Sequence, residues 1–247
     1  MCFGSWGLWG EDHSACRRAL RRSPESGQRS SQGYAVGLIL VDERRRPVSD
    51  PYVVRVGGWT LERYLREAPE SGFWEFVRGE VVVHSPASAE HQDVVGFMYW
   101  VLRGYCEARG WGKVLMGPAA VEVLPDVVRE PDVFVLPPQE VPKASGAPLR
   151  VRPVLVVEVT SPATRGMDLG EKAEEYRQAG VPEYWVVDLE TEEVTAHTRG
   201  AGGWEVERWK AGKLASRSVP GFWLEVGWLF CKPLPAADGC LRDVLKG

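Results

Sequence analysis

The stretch that most limits what this chain can fold into is PVLVVEVTSPATRGMDLGEKAEEY, residues 153–176. It begins as a near-continuous aliphatic run, the pattern of a strand that is buried on both faces. Glu158 interrupts this run, on the same strand face as Val154 and Val156. A buried carboxylate is costly unless it is paired or binds a metal, whereas a carboxylate just past the sheet edge would be solvated. Because active sites of α/β sheets gather at the C-terminal ends of strands, we expect Glu158 to be functional.

A helix is predicted over residues 168–179, directly after this strand, and it ends at a glycine suited to a left-handed cap. Asp168, Lys172 and Tyr176 are spaced i, i+4, i+8 and so share one face of that helix. We interpret Asp168, with Glu171, as a capping box, and Tyr176 as a core residue. Lys172 leaves two interpretations open. It could form a surface ion pair with Asp168, of little energetic value, or it could reach back to the strand and stabilise charge on a phosphorane-like transition state or hold the attacking water.

A second carboxylate, Asp132, opens the strand predicted in REPDVFVLP, immediately after Pro131. An aspartate after proline is also common in turns. Two carboxylates brought together from adjacent strands would form a hard-oxygen site suited to Mg²⁺ or Mn²⁺. We therefore expect Asp132 and Glu158 to lie close together on the same sheet face.

The remaining pattern predicts one α/β domain around a mixed sheet, with extra β-hairpins. A short helix in WTLERYLRE precedes a hairpin, FWEFVRGEVVVHS, that turns at Arg78-Gly79. Ser88 can cap the next helix, which ends at Gly110. Further strands are predicted in KVLMGPAAVEVLP, REPDVFVLP, EYWVVDLE, TAHTR, WEVERW and GFWLEVGWLF.

Composition separates the N-terminal part from the rest. Residues 1–55 are rich in Arg, Ser, Gly and Gln with almost no apolar periodicity, so we expect a poorly packed or disordered extension, with a stray strand at 34–43, before a domain at 56–247. Residues 1–56 hold nine arginines and six acidic residues, so the rest of the chain must carry −7 to give the total of −4. A basic nucleic-acid-binding arm is the alternative for the extension. An acidic body argues against general nucleic-acid binding.

The sequence also excludes several classes of protein. No HExxH, P-loop, GxSxG or GxGxxG motif occurs, so markers of zinc proteases, NTPases, serine hydrolases and dinucleotide enzymes are missing. Five cysteines without a CxxC pair argue against a disulfide framework and favour the reducing cytoplasm. No apolar run approaches the ~20 residues that span a bilayer.

Three segments taken together, REPDVFVLP, PVLVVEVTSPATRGMDLGEKAEEY and QAGVPEYWVVD, resemble the Uma-two family of restriction-endonuclease-like proteins, within the PD-(D/E)XK nuclease superfamily. The resemblance runs from about Trp59 to Phe230. It implies a restriction-endonuclease-like core, an αβββαβ arrangement with a mixed central sheet flanked by helices. It also implies that Asp132 and Glu158 bind a metal, Mg²⁺ or Mn²⁺.

One departure from the superfamily pattern concerns its lysine. Thr160 lies two residues after Glu158, where the pattern has Lys, and the resemblance implies that Lys172 supplies this group from the helix. Glu75 and His91 also match family positions, where either could orient water, bind a second metal or serve as a structural polar group.

The leading functional hypothesis is a cytoplasmic, metal-dependent DNA endonuclease. The first alternative is a catalytically weak or inactive nucleic-acid-binding or assembly module of the same fold. The second is a hydrolase of a small phosphorylated molecule. Exposed aromatics among the eleven tryptophans favour a homodimer.

Overall fold

The structure is a computed structural model that describes residues 52–69 and 73–247. Most of the expected N-terminal extension, residues 1–51, and the strand predicted at 34–43 lie outside the described residues. The expected domain boundary at residue 56 falls inside the first strand, because Val53–Gly57 pairs with Glu80–His84.

The described helices and strands follow one another in this order: β1 (Val53–Gly57), α1 (Leu61–Glu67), β2 (Trp74–Val77), β3 (Glu80–His84), α2 (Ala89–Arg109), β4 (Lys113–Met116), β5 (Val121–Leu124), β6 (Val127–Arg129), β7 (Val133–Leu136), β8 (Leu155–Val159), α3 (Arg165–Leu169), α4 (Glu171–Gln178), β9 (Glu183–Asp188), β10 (Glu193–Gly200), β11 (Gly203–Trp209), β12 (Lys213–Ala215), β13 (Trp223–Glu225) and α5 (Ala237–Lys246). The expected αβββαβ core is present as α2, β4, β7, β8, the α3–α4 pair and β9.

The central sheet has six strands in the order β11-β10-β9-β8-β7-β4. It is mixed, because β8 and β9 run parallel while their neighbours are antiparallel. Every residue of β7, β8 and β9 is buried. The aliphatic run around Glu158 thus forms a strand covered on both faces, as its pattern predicts.

A second, five-stranded antiparallel sheet has the order β1-β3-β2-β6-β5. It combines the predicted N-terminal hairpin with the β5–β6 hairpin, which is inserted between core strands β4 and β7. Arg78 and Gly79 form the tight turn of the first hairpin, both with positive φ, as a two-residue type I′ turn requires. The segment KVLMGPAAVEVLP therefore contributes one strand to each sheet.

The central sheet buries a different core on each face. Val133, Val135 and Val157 pack with α2 and α5 on one face. Phe134 and Val156 pack on the opposite face, against α4 and the five-stranded sheet. By strand alternation, Asp132 and Glu158 belong to this second face.

Three helical features differ from the sequence-based expectations. The helix predicted over 168–179 is two helices, α3 and α4, separated at Gly170. The segment GFWLEVGWLF is only partly a strand, since a 3₁₀ helix follows at Val226–Phe230. The strand-rich C-terminal part also ends in α5, which packs on α2. In contrast, α2 begins at the Ser88 cap and ends at Gly110, as predicted.

Candidate functional site

A cavity of about 180 Å³ lies at one end of the central sheet, where β2, β3, the start of α2, β8 and the α3–α4 pair meet. Its polar lining is dominated by five carboxylates and one lysine. Prolines, Ala87 and Phe73 form an apolar part of the wall. The charged lining residues are Glu75, Glu130, Asp132, Glu158, Asp168 and Lys172.

Asp132 and Glu158 reach this cavity from neighbouring antiparallel strands. Val133 lies opposite Val157, so that Asp132, one residue earlier, lies beside Glu158. Asp132 Oδ2 accepts a hydrogen bond of 2.8 Å from the Val159 amide, which fixes the carboxylate against β8. The two residues thus lie on neighbouring strands, as the sequence predicts, and both line the same cavity.

Glu158 is almost completely buried, and its surroundings disfavour the ionised form. Burial raises the pKa of Glu158 well above its ordinary value, an effect that Lys172 opposes and Asp132 reinforces. Tyr176 donates a 3.0 Å hydrogen bond to Glu158 Oε1. Tyr176 is the buried core residue expected from its spacing, but it also orients the Glu158 carboxylate.

Lys172 lies in the cavity, so the interpretation of a solvated surface ion pair is wrong. Its side chain is only 5% exposed, and its Nζ lies 3.1 Å from Glu158 Oε1. It also lies 3.0 Å from Asp168 Oδ1 and 3.7 Å from Glu75 Oε1. Burial alone would lower the pKa of Lys172, but the three carboxylates outweigh it and raise this pKa well above the ordinary value.

Asp168 has a different role from the predicted capping box. It lies inside α3, its residue is 1% exposed, and it lines the cavity. The helix that contains Lys172 begins after Gly170 and has no side-chain cap. Burial raises the pKa of Asp168, against the opposing effect of Lys172. Asp168 is thus a buried ion-pair partner of Lys172. The sequence did not indicate this role, because the i, i+3 spacing of Asp168 and Glu171 also matches a capping box.

Glu75 faces the cavity from β2, and both its oxygens are occupied. Oε2 accepts from Arg129 at 2.8 Å and lies 2.9 Å from His84 Nε2. Oε1 accepts from the Glu130 amide at 3.0 Å, on the side facing Lys172. Burial opposes ionisation, but the Lys172 and Arg129 charges hold the pKa of Glu75 well below its usual range. A carboxylate with four polar neighbours fits a structural role better than a second metal site.

His91 lies in the first turn of α2, with Nε2 3.4 Å from Asp132 Oδ2. Burial would lower the pKa of His91, but Asp132 outweighs it and raises the pKa. His91 therefore contacts the carboxylate that was predicted to bind metal and can hold its orientation.

Two residues beside Asp132 were missed at the sequence level. Arg129 is fully buried between Glu75 and α4. Glu130 lines the cavity, and burial together with Glu75 raises its pKa to about 8. The available signal was the pair of opposite charges, Arg-Glu, preceding Pro131 and Asp132 in REPDVFVLP.

Thr160 stands where the superfamily pattern has lysine, and it lies outside the cavity lining. It is buried, and its hydroxyl donates to Asp188 Oδ1 at 3.4 Å while accepting from the Leu189 amide. The lysine that contacts Glu158 is instead Lys172, from the following helix.

The described ranges, 52–69 and 73–247, lack two kinds of feature. No group of three or more His, Cys, Asp or Glu side chains there is arranged to hold a metal ion. No helix in this part of the chain has the length and apolar character needed to cross a membrane.

Comparisons with known proteins agree with this architecture. The Uma2 family, described as "Putative restriction endonuclease", matches residues 61–227. A crystal structure titled as "a putative nuclease belonging to DUF820 from Anabaena variabilis ATCC 29413" has the same fold, with a TM-score of 0.59 over 70% of this chain and 97% of that chain. Its sequence is 15% identical, so this similarity concerns the fold. No curated protein matches the sequence. Because the family match covers well over half of the 247 residues, the chain belongs to the Uma2 family.

Proposed function

We propose that this protein is a metal-dependent endonuclease that hydrolyses phosphodiester bonds in DNA. The observation that carries the proposal is the convergence of Asp132, Glu158 and Lys172 on one cavity. The family description and the fold shared with a nuclease-like structure support hydrolysis of nucleic acid.

The donor set fits one hard cation. Contacts to Glu158 are made at Oε1 and those to Asp132 at Oδ2. Within residues 52–69 and 73–247, the other oxygen of each carboxylate has no hydrogen bond or ion pair. Mg²⁺ commonly binds through one or two carboxylates while keeping waters and substrate phosphate oxygens as its other ligands. Two carboxylates with one free oxygen each therefore match Mg²⁺ or Mn²⁺.

The chain's own groups have separable roles in this proposal. Asp132 and Glu158 would hold the cation, with His91 and the Val159 amide fixing Asp132. A bound divalent ion would lower the pKa of water and neutralise charge on the scissile phosphate. Lys172 would donate from Nζ to a phosphate oxygen as charge develops there. Since five carboxylates line the cavity, cation binding would also offset the repulsion that a phosphodiester meets.

The experiment is cleavage of supercoiled plasmid and of single- and double-stranded oligonucleotides, with Mg²⁺, Mn²⁺ or EDTA. We expect cation-dependent cleavage that Asp132→Asn and Glu158→Gln abolish. Lys172→Ala should lower the rate by ~10²-fold or more, and Lys172→Arg should restore it in part, because its reach and geometry differ. Lys143→Ala is the matched control, since the Lys143 side chain is 58% exposed and outside the cavity.

Cation binding is measured separately, by thermal unfolding of metal-stripped protein. A cation at one hundred times its Kd should add about 2.7 kcal/mol to the free energy of unfolding. This gain should be lost in Asp132→Asn. Absence of any shift in the wild type at millimolar Mg²⁺ and Mn²⁺ would refute the cation site.

A nucleic-acid-binding or assembly module without efficient cleavage is the second candidate. The acidic cavity lining and the lack of a three-ligand cluster in the described residues favour it. DNA retention without cleavage under every cation would establish it, whereas turnover confined to a nucleotide panel would point to a small phosphorylated substrate. Homodimerisation and a cytoplasmic location remain predictions.

A further inference from the structure

The buried Arg129 connects the five-stranded sheet to the helix that carries Lys172. It lies at the end of β6, and its side chain is 0% exposed. Its Nε donates to Glu175 Oε2 at 2.7 Å, its Nη1 donates to Glu75 Oε2 at 2.8 Å, and its Nη2 lies 3.1 Å from Glu171 Oε1. One guanidinium thus contacts three carboxylates that point at it from two elements.

Helix α4 depends on such contacts for its position. It has eight residues, follows the irregular Gly170 and has no side-chain N-cap. A helix this short is not stable by itself, so tertiary contacts must set its place. Glu171 and Glu175, which flank Lys172 at one and three residues, both contact Arg129.

Arg129 also determines how Glu75 faces Lys172. By binding Oε2 together with His84, it leaves Oε1 on the side of the Lys172 ammonium, at 3.7 Å. Glu75 is one of three carboxylates around Nζ, and the other two are Asp168 and Glu158. Arg129 therefore contacts both the helix that carries Lys172 and Glu75, one of the three carboxylates around the Lys172 ammonium.

We propose that Arg129 is a positioning residue that sets the reach of Lys172 into the cavity. The expected effect on cleavage rests on the proposed function, whereas the effect of Arg129 on the position of Lys172 does not. Arginine suits the role because its planar fork offers donors in three directions, whereas a lysine presents one compact charge on a flexible stem. Since Arg129 is fully buried, its side chain makes no direct contact with a DNA substrate, and a loss of cleavage rate on its substitution must act through other residues.

The test compares Arg129→Lys with Arg78→Met. Arg129→Lys keeps the buried charge, so it should fold where an uncharged substitution would remove a buried cationic partner from both Glu75 and Glu175. Arg78 binds Glu175 Oε1 at 2.7 Å from a half-exposed position and is absent from the cavity lining. In Arg78→Met, Arg129 still binds Glu175 through Oε2, so α4 keeps its buried anchor and Glu75 is untouched.

Two readouts separate positioning from a general loss of stability, both taken well below the melting temperature. The first is single-turnover cleavage, where Arg129→Lys should lower the rate by about 10-fold or more with DNA affinity unchanged. The double variant Arg129→Lys/Lys172→Ala should cleave no more slowly than Lys172→Ala, because the two residues act as a unit. Arg78→Met should retain the wild-type rate.

The second readout does not require activity. Acylation of lysines with a small amine-reactive acyl donor, acetic anhydride, followed by mass spectrometry, should find Lys172 protected in the wild type and in Arg78→Met. In Arg129→Lys its reactivity should rise towards that of the exposed Lys143.

Each outcome decides one of the two proposals. A wild type that cleaves no DNA refutes the proposed function, while the acylation pattern still tests Arg129. Unchanged Lys172 protection in Arg129→Lys overturns the positioning role, as does a fully additive loss of rate in the double variant.

Discussion

Replacing Lys172 with methionine should show how much of the folding free energy depends on the charge in the cavity. The methionine keeps most of the aliphatic length but removes the ammonium, which has carboxylate oxygens at 3.0, 3.1 and 3.7 Å. Removing one partner of a buried ion pair typically costs about 3–5 kcal/mol, because the remaining charge is left uncompensated. We expect a loss within this range for Lys172→Met.

The size of this loss is limited by proton uptake. The pKa of Glu158 is already raised by burial, so this carboxyl can bind a proton once the ammonium is gone. The folded pKa of Lys172 is raised, so its contribution is complete below the unfolded value of 10.5 and is lost as pH rises through the folded pKa. The difference between wild type and variant should therefore persist at neutral pH and shrink as acid protonates the surrounding carboxylates.

Urea unfolding in EDTA at neutral pH measures this difference. Lys143→Met is the control, since the Lys143 side chain is 58% exposed and its partner Glu140 also accepts a hydrogen bond from the Arg152 amide, so the loss should be less than about 1 kcal/mol. Adding Glu158→Gln to Lys172→Met should recover part of the loss, because it removes one of the unpaired carboxylates. A loss below about 1 kcal/mol for Lys172→Met would refute the reasoning, since that is the value of a solvated pair.

Three further changes test neighbouring groups. The folded pKa of Glu130 is about 8 against an ordinary 4.5, so its stabilising proton is lost as pH rises through this window. Glu130→Gln should remove this pH dependence. Measured by urea unfolding, the free energy of unfolding of the variant relative to the wild type should be up to about 5 kcal/mol higher at pH ~9 than at pH ~4. Tyr176→Phe should cost about 1 kcal/mol and slow cleavage, because Glu158 loses a hydrogen bond. Thr160→Lys should not restore cleavage to Lys172→Ala, since position 160 lies outside the cavity; recovered activity would contradict this geometry.

The features determined by the sequence alone are those with short-range signals. The aliphatic run around Glu158 identifies a strand covered on both faces, and strand alternation places Glu158 on the same face as Val156. Ser88 and Gly110 mark the ends of α2 because capping is local chemistry. The family resemblance added the metal-ligand roles and the lysine from the helix, and the structure brings Lys172 to Glu158.

The features decided by tertiary structure depend on groups that are far apart in the chain. Arg129 meets Glu75 and Glu175 across 54 and 46 residues, and no periodicity in the sequence encodes either pairing. Asp168 matched a capping box by spacing, yet the break at Gly170 and the burial of Lys172 turn it into a buried charge partner. Local spacing fixes which side chains share a strand or helix face. Which charges face one another in a low-dielectric interior is fixed only when the sheets and helices pack together.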